Sequence, residues 1–154
     1  MTVLYLLSVW VHILAAAVWI GSMAFFAIAV VPALRGAENR EAVLPMVRAI
    51  GKRFRWVAWA CLAVLVVTGV TNLWLRGIDT STLLAGEFWA TGFGRTLAHK
   101  LALVGLVVVV TVGHDALSGS PERRRLTSWL GRAALVLSVG VVLLAVALVR
   151  GAAW

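Results

Sequence analysis

The chain has 154 residues, 62% hydrophobic and 13% charged, with a mean hydropathy of +1.00, whereas soluble domains run at about 45–50% apolar and about 25% charged. A water-soluble fold of 16.5 kDa cannot hide that much apolar side chain, and the same figures exclude a disordered chain and, with Cys61 as the single cysteine, a secreted disulfide scaffold. The net charge of +8 then reads as basic cytoplasmic loops of an integral membrane protein rather than as a nucleic-acid surface.

A helix crossing about 30 Å of hydrocarbon needs about 20 residues. Four apolar stretches, three of which can span without burying an ionised group, predict an all-α, single-domain membrane protein over residues 1–154, with helices near 3–34, 54–75, 95–117 and 128–150. The first has no formal charge, no basic n-region and no small-residue cleavage site, so it reads as a retained helix rather than a signal peptide. The segment from Arg35 to Arg55 contains Pro45 and a short basic helical pattern, expected to lie on the inner leaflet. The second span runs between Arg55 and Arg76 and carries Thr68, Thr71 and Asn72, which suit hydrogen bonds between helices. The connection that follows holds Phe88, Trp89 and Phe93, an aromatic segment expected at the outer interface. The fourth span lies between Arg132 and Arg150.

The third span differs. Its charge-free core, residues 101–113, is about 13 residues, or about 20 Å of helix. To cross, it must take in His99 and Lys100 at one end, or His114 and Asp115 at the other. Ionisable groups at mid-bilayer cost about 2.5–3.5 kcal/mol each and usually face the protein interior. The polarity of this span is the best pointer to a site.

Orientation follows from the basic residues. Arg35, Arg40, Arg48, Lys52, Arg53 and Arg55 lie after the first span, and Arg123, Arg124 and Arg125 before the fourth. The positive-inside rule puts both groups in the cytoplasm and both termini outside. His12, about 22 residues before Arg35, and His99, about 16 before Asp115, then share nearly one depth in the outer half of the bilayer. Imidazole binds copper, iron and zinc. Two imidazoles from different helices suit a b-type haem, with Lys100 as a cation for a propionate; two imidazoles and a third group suit a copper ion.

Each of these residues also has a structural explanation. A histidine near a helix end can simply sit at the interface, His114 beside Asp115 and Ser118 can bond a helix terminus, and Lys100 can snorkel to the headgroups. Cys61 and Met23 suit packing or lipid, and so few soft ligands argue against a thioether-lined copper channel. Ala17 and Gly21 suit close helix packing, and the eight Trp suit interface anchoring, with Trp10 and Trp19 able to flank a porphyrin. No Gly-rich phosphate loop, Ser/His/Asp set or paired-carboxylate pattern supports hydrolase or nucleotide chemistry.

The stretch VHILAAAVWIG at residues 11–21, continuing to VPALR at 31–35, resembles the first helix of the copper resistance protein D (CopD) family. The resemblance extends to Arg53-Phe54-Arg55, to TGVTNL at 68–73, and to Gly94, Arg95, Lys100, His114 and Asp115. It implies a bacterial inner-membrane protein linked to copper uptake or tolerance that works with periplasmic copper carriers. On that reading His12 and His99 are metal ligands, Lys100 and Asn72 stand beside them, and a homo-oligomer or larger membrane complex is expected. A more distant resemblance is to HemJ-type protoporphyrinogen oxidase, which pairs a first-helix His with a third-helix Lys, here His12 and Lys100. This chain lacks the further histidine of that family, having residues 32–35 where it would follow the Trp19 to Gly21 segment. A metal-free accessory subunit of a membrane complex is the third alternative.

Overall fold

The computed structural model describes residues 2–119 and 121–150. These residues form helices and turns with no strand among them, in two units, Met1–Asp79 and Thr80–Trp154. Four helical stretches are long and apolar enough to cross a membrane: Val3–Gly36, Glu41–Trp74, Gly92–Leu117 and Arg125–Val149. Large apolar side chains such as Val3, Ile28, Trp56 and Val136 are about 70% exposed or more, which suits lipid and not water. The fold is that of an all-α, multi-pass membrane protein.

In the first unit, α1 (Val3–Phe25) runs through a π-helical turn (Phe26–Val30) into α2 (Val31–Gly36). The turn has a local cause. Pro32 cannot donate to the carbonyl of Ile28 and its ring would crowd that oxygen, and just before it the Val31 N–H bonds back five residues to Phe26. After a short turn, α3 (Arg40–Trp74) is one continuous helix of 35 residues. The basic segment expected as a separate element on the inner leaflet is thus the first part of α3. Its Arg, Lys, Ala and Met residues are good helix formers, and charge marks where a helix leaves hydrocarbon rather than where it ends.

Helix α3 stops in a Schellman turn. The Ile78 N–H reaches the Leu73 carbonyl at 3.0 Å and the Gly77 N–H reaches Trp74 at 2.9 Å, with Gly77 at φ +79°, a conformation that favours glycine. Helices α1 and α3 pack antiparallel in a single register. His12 meets Thr68, Tyr5 meets Arg76, and Phe26 meets Phe54 edge-to-face at 4.9 Å between centroids. Buried residues of α1 fall on one stripe, Ser8, Ala15 and Trp19, with His12 half-buried in line with them. Trp19 is therefore core and not an interface anchor, whereas Trp10 on another face is 60% exposed. Ala17 and Gly21 are both exposed, and a Cβ on Gly21 would meet nothing within 4 Å, so among the described residues of this unit the expected small-residue face is not packed.

In the second unit, α4 (Thr80–Leu84) and α5 (Gly86–Ala90) are single turns that lead into α6 (Gly92–Leu117). A 3-10 turn (Pro121–Arg123) then leads to α7 (Arg124–Arg150). The start of α6 is capped by Thr91, whose hydroxyl accepts from the Gly94 N–H at 3.0 Å. Helix α5 lies so close that a Cβ on Gly94 would fall 2.0 Å from the Phe88 carbonyl oxygen. The aromatic segment is thus folded against the start of α6, and Trp89 Nε1 donates to the Leu83 carbonyl at 2.9 Å. Helices α6 and α7 pack antiparallel through glycines, with Gly131 against the His114 ring and Gly140 against Leu103. Buried Thr96 and Ser138 donate to carbonyls of their own helices, at 2.9 and 2.7 Å, which satisfies a hydroxyl where no water competes.

Candidate functional site

The first unit places His12 at the centre of its helix pair. Its Nδ1 lies 2.7 Å from Thr68 Oγ1, and Thr68 Oγ1 lies 2.6 Å from the Val64 carbonyl oxygen. A carbonyl only accepts, so the hydroxyl proton goes to Val64 and the hydroxyl oxygen accepts from His12 Nδ1–H. In the neutral ring this puts the lone pair on Nε2. Metal-bound histidines are held in this way, with the other ring N–H donated to a fixed acceptor. A Cβ on Gly69 would stand 3.7 Å from His12 Cε1, so the ring rests on the Thr68–Gly69 step of α3.

One turn from this contact, toward the amino-terminal end of α1, the shared register sets Ser8 opposite Asn72. Ser8 is 9% exposed. Among the described residues, Ser8 Oγ and Asn72 Oδ1 are buried atoms without a hydrogen-bond partner. One further turn on, Arg76 Nε donates to Tyr5 Oη at 2.8 Å, and the guanidinium carbon lies 5.8 Å from the ring centroid. Thr71, expected to bond between helices, instead donates to Val67 of its own helix at 2.9 Å. Thr68 does bond across the pair, as its position suggested.

The second unit carries the other sequence-derived candidates. His99 and Lys100 lie in the third turn of α6, His99 exposed and Lys100 half-buried. Near the opposite end of α6, His114 Nδ1 lies 3.5 Å from Asp115 Oδ1, with side-chain exposures of 38% and 22%. A Cβ on Gly131 would lie 3.6 Å from the His114 ring, and Ser118 Oγ donates to the Asp115 carbonyl at 2.8 Å. The pair closes a helix end and packs on α7. Thr111, one turn before it, has a third buried oxygen with no partner among the described residues. Cys61 is a half-buried thiol on α3. Among the described residues no three His, Cys, Asp or Glu side chains converge in metal-ligand geometry. A protein-borne metal centre here would rest on imidazole and on neutral oxygen donors.

Long apolar helices with a hydrogen-bonded histidine between two of them define a polytopic membrane protein with a polar seam in its first unit. Residues 48–150 match the copper resistance protein D family, and the chain belongs to it. The match takes in Thr68, Asn72, His99, Lys100, His114 and Asp115, whereas His12 lies before it. The family ties the chain to copper resistance in a membrane. The chain is also similar to an uncharacterized protein of Aquifex aeolicus (strain VF5), 29% identical over 146 residues that span 91% of this chain and 92% of the relative. No solved structure matches it.

Sequence reasoning chose His12 and Thr68 but missed Ser8, Tyr5 and Arg76 as members of the same polar line. The signal was available in the spacing: residues 5, 8 and 12 recur on one face of α1, and residues 68, 72 and 76 on one face of α3.

Proposed function

We propose that this chain is a copper-handling protein of the bacterial inner membrane, serving uptake or tolerance, with copper bound as cargo by imidazole. His12 and His99 are proposed as ligands, with Lys100 and Asn72 as supporting or gating groups, and both termini are proposed to face outward. Family membership supports the copper assignment. The observation that supports the site is the hydrogen bond between His12 Nδ1 and Thr68 at 2.7 Å, which holds the ring and, in its neutral form, puts the lone pair on Nε2. Neutral imidazole suits either oxidation state of copper. The basic residues after α1 and before α7 support the outward termini, which in turn make a periplasmic copper carrier the natural partner.

Elemental analysis and an optical spectrum of the purified, metal-replete protein, combined with cellular copper uptake, test the proposal. Bound copper in the wild type, lost in His12→Ala and His99→Ala together with uptake, is the expected result. Copper-free protein, with uptake unchanged in His12→Ala, overturns it. A Soret band in its place would assign the histidines to haem. Intact partner complexes with full activity in the double variant would assign the chain a metal-free accessory role.

A further inference from the structure

The polar residues of the first unit form a ladder of three rungs along the seam of α1 and α3. His12 and Thr68 make the deepest rung, at 2.7 Å. Ser8 and Asn72 face each other by register one turn on, and Tyr5 and Arg76 close the end at 2.8 Å. Four residues of helix rise about 6 Å, so the ladder covers about 12 Å from Thr68 to Arg76. An open surface depression of about 440 Å³, lined by Thr2, Tyr5, Leu75 and Arg76, lies at that end.

The middle rung is the informative one. Ser8 is a polar side chain more than nine-tenths buried, and neither its Oγ nor Asn72 Oδ1 has a partner among the described residues. Buried polar oxygens are almost always bonded, and where protein supplies no donor, ordered water does, typically with about three hydrogen bonds each. In hydrocarbon the penalty for an unbonded group is greater still. Both oxygens accept, Ser8 Oγ also donates, and both sit between a bonded imidazole and that depression. This is the donor and acceptor set a water molecule needs.

We propose that the α1/α3 seam is a water-filled polar route from the depression at Arg76 to His12, with the Tyr5–Arg76 contact as its gate. The occupant is water. The Arg76 guanidinium stands at the mouth as a fixed positive charge, so a bare metal cation is disfavoured there, while water and small anions are admitted. The inference concerns water access to His12 and not the entry of copper, which this mouth disfavours; it rests on the reading under Proposed function for its purpose, while its test does not depend on copper.

Thiol labelling in lipid nanodiscs reads the seam directly. In a Cys61→Ala background, Ser8→Cys and Asn72→Cys are exposed to anionic and cationic methanethiosulfonates, which react with ionised, hydrated thiols. Leu7→Cys and Val70→Cys, 53% and 48% exposed as native residues on other faces of the same helices, serve as lipid-facing controls. The seam positions should react at least tenfold faster than the controls and faster with the anionic reagent. Arg76→Gln should lower the anionic-to-cationic rate ratio about tenfold, and Tyr5→Phe, which removes the gate's acceptor, should raise both rates. Ser8→Cys exchanges a single atom, so a monodisperse, helical Ser8→Cys protein as inert as the controls overturns the proposal. Reactive thiols in a protein that binds no copper would remove the His12 site and keep the seam; inert thiols in a copper-binding protein would do the reverse.

Discussion

Replacing Thr68 with valine removes one hydroxyl and keeps the branched outline of the side chain. The backbone loses little, because the Val64 carbonyl keeps its place in the helical ladder. The loss falls on His12, whose Nδ1–H is left against a methyl group in place of an oxygen at 2.7 Å. Polar contacts between membrane helices average about 0.6 kcal/mol with a maximum near 1.7, so the helix pair should survive. Removing the partner that orients a ligating histidine has a larger effect on the metal, about 10–100-fold in affinity, or about 1.4–2.7 kcal/mol. Thr68→Val should therefore weaken copper binding at least tenfold while lowering thermal stability only slightly. Thr68→Ser, which retains the acceptor, should bind nearly as the wild type does. Titration against a chromophoric copper chelator, with a thermal melt in the same detergent, measures both quantities. Wild-type affinity in Thr68→Val, or equal loss in Thr68→Ser, would refute the orienting role of the hydroxyl.

Two glycines of the second unit should respond very differently to one added methyl group. In Gly94→Ala the new Cβ meets the Phe88 carbonyl oxygen at 2.0 Å, so α5 or the start of α6 must move by more than an ångström; a loss of about 3 kcal/mol or more is expected, and an unchanged melting curve would contradict the close approach. In Gly140→Ala the new Cβ meets only the mobile end of Leu103 at 3.1 Å, and a loss below about 1 kcal/mol is expected in the same melt.

The four spans were legible because length and hydropathy act over about twenty residues at once. The third began at Gly92 and ended at Leu117, close to the range its polarity suggested. The start of the second span was not legible. Between Arg40 and Arg55 composition favours helix and charge favours water, and both are satisfied by a helix that projects from the hydrocarbon. The importance of His12 could be seen from its depth in an apolar run. Its pairing with Thr68 could not, because that depends on the register of α1 against α3, set in part by packing such as Phe26 on Phe54. Gly94 and Trp89 were hidden for the same reason: their roles come from where α5 lands, which no local pattern in residues 76–94 encodes.

The length of α3 carries a mechanical consequence. Arg48 and Thr68 sit on one uninterrupted rod, about 30 Å apart along its axis. A tilt of about 10° around the midpoint of that span would swing each end by about 2.6 Å, comparable with the whole His12–Thr68 separation. The arginine end is thus a lever on the imidazole: small angular changes at one end of the rod would be felt as a made or broken His12–Thr68 contact near the other.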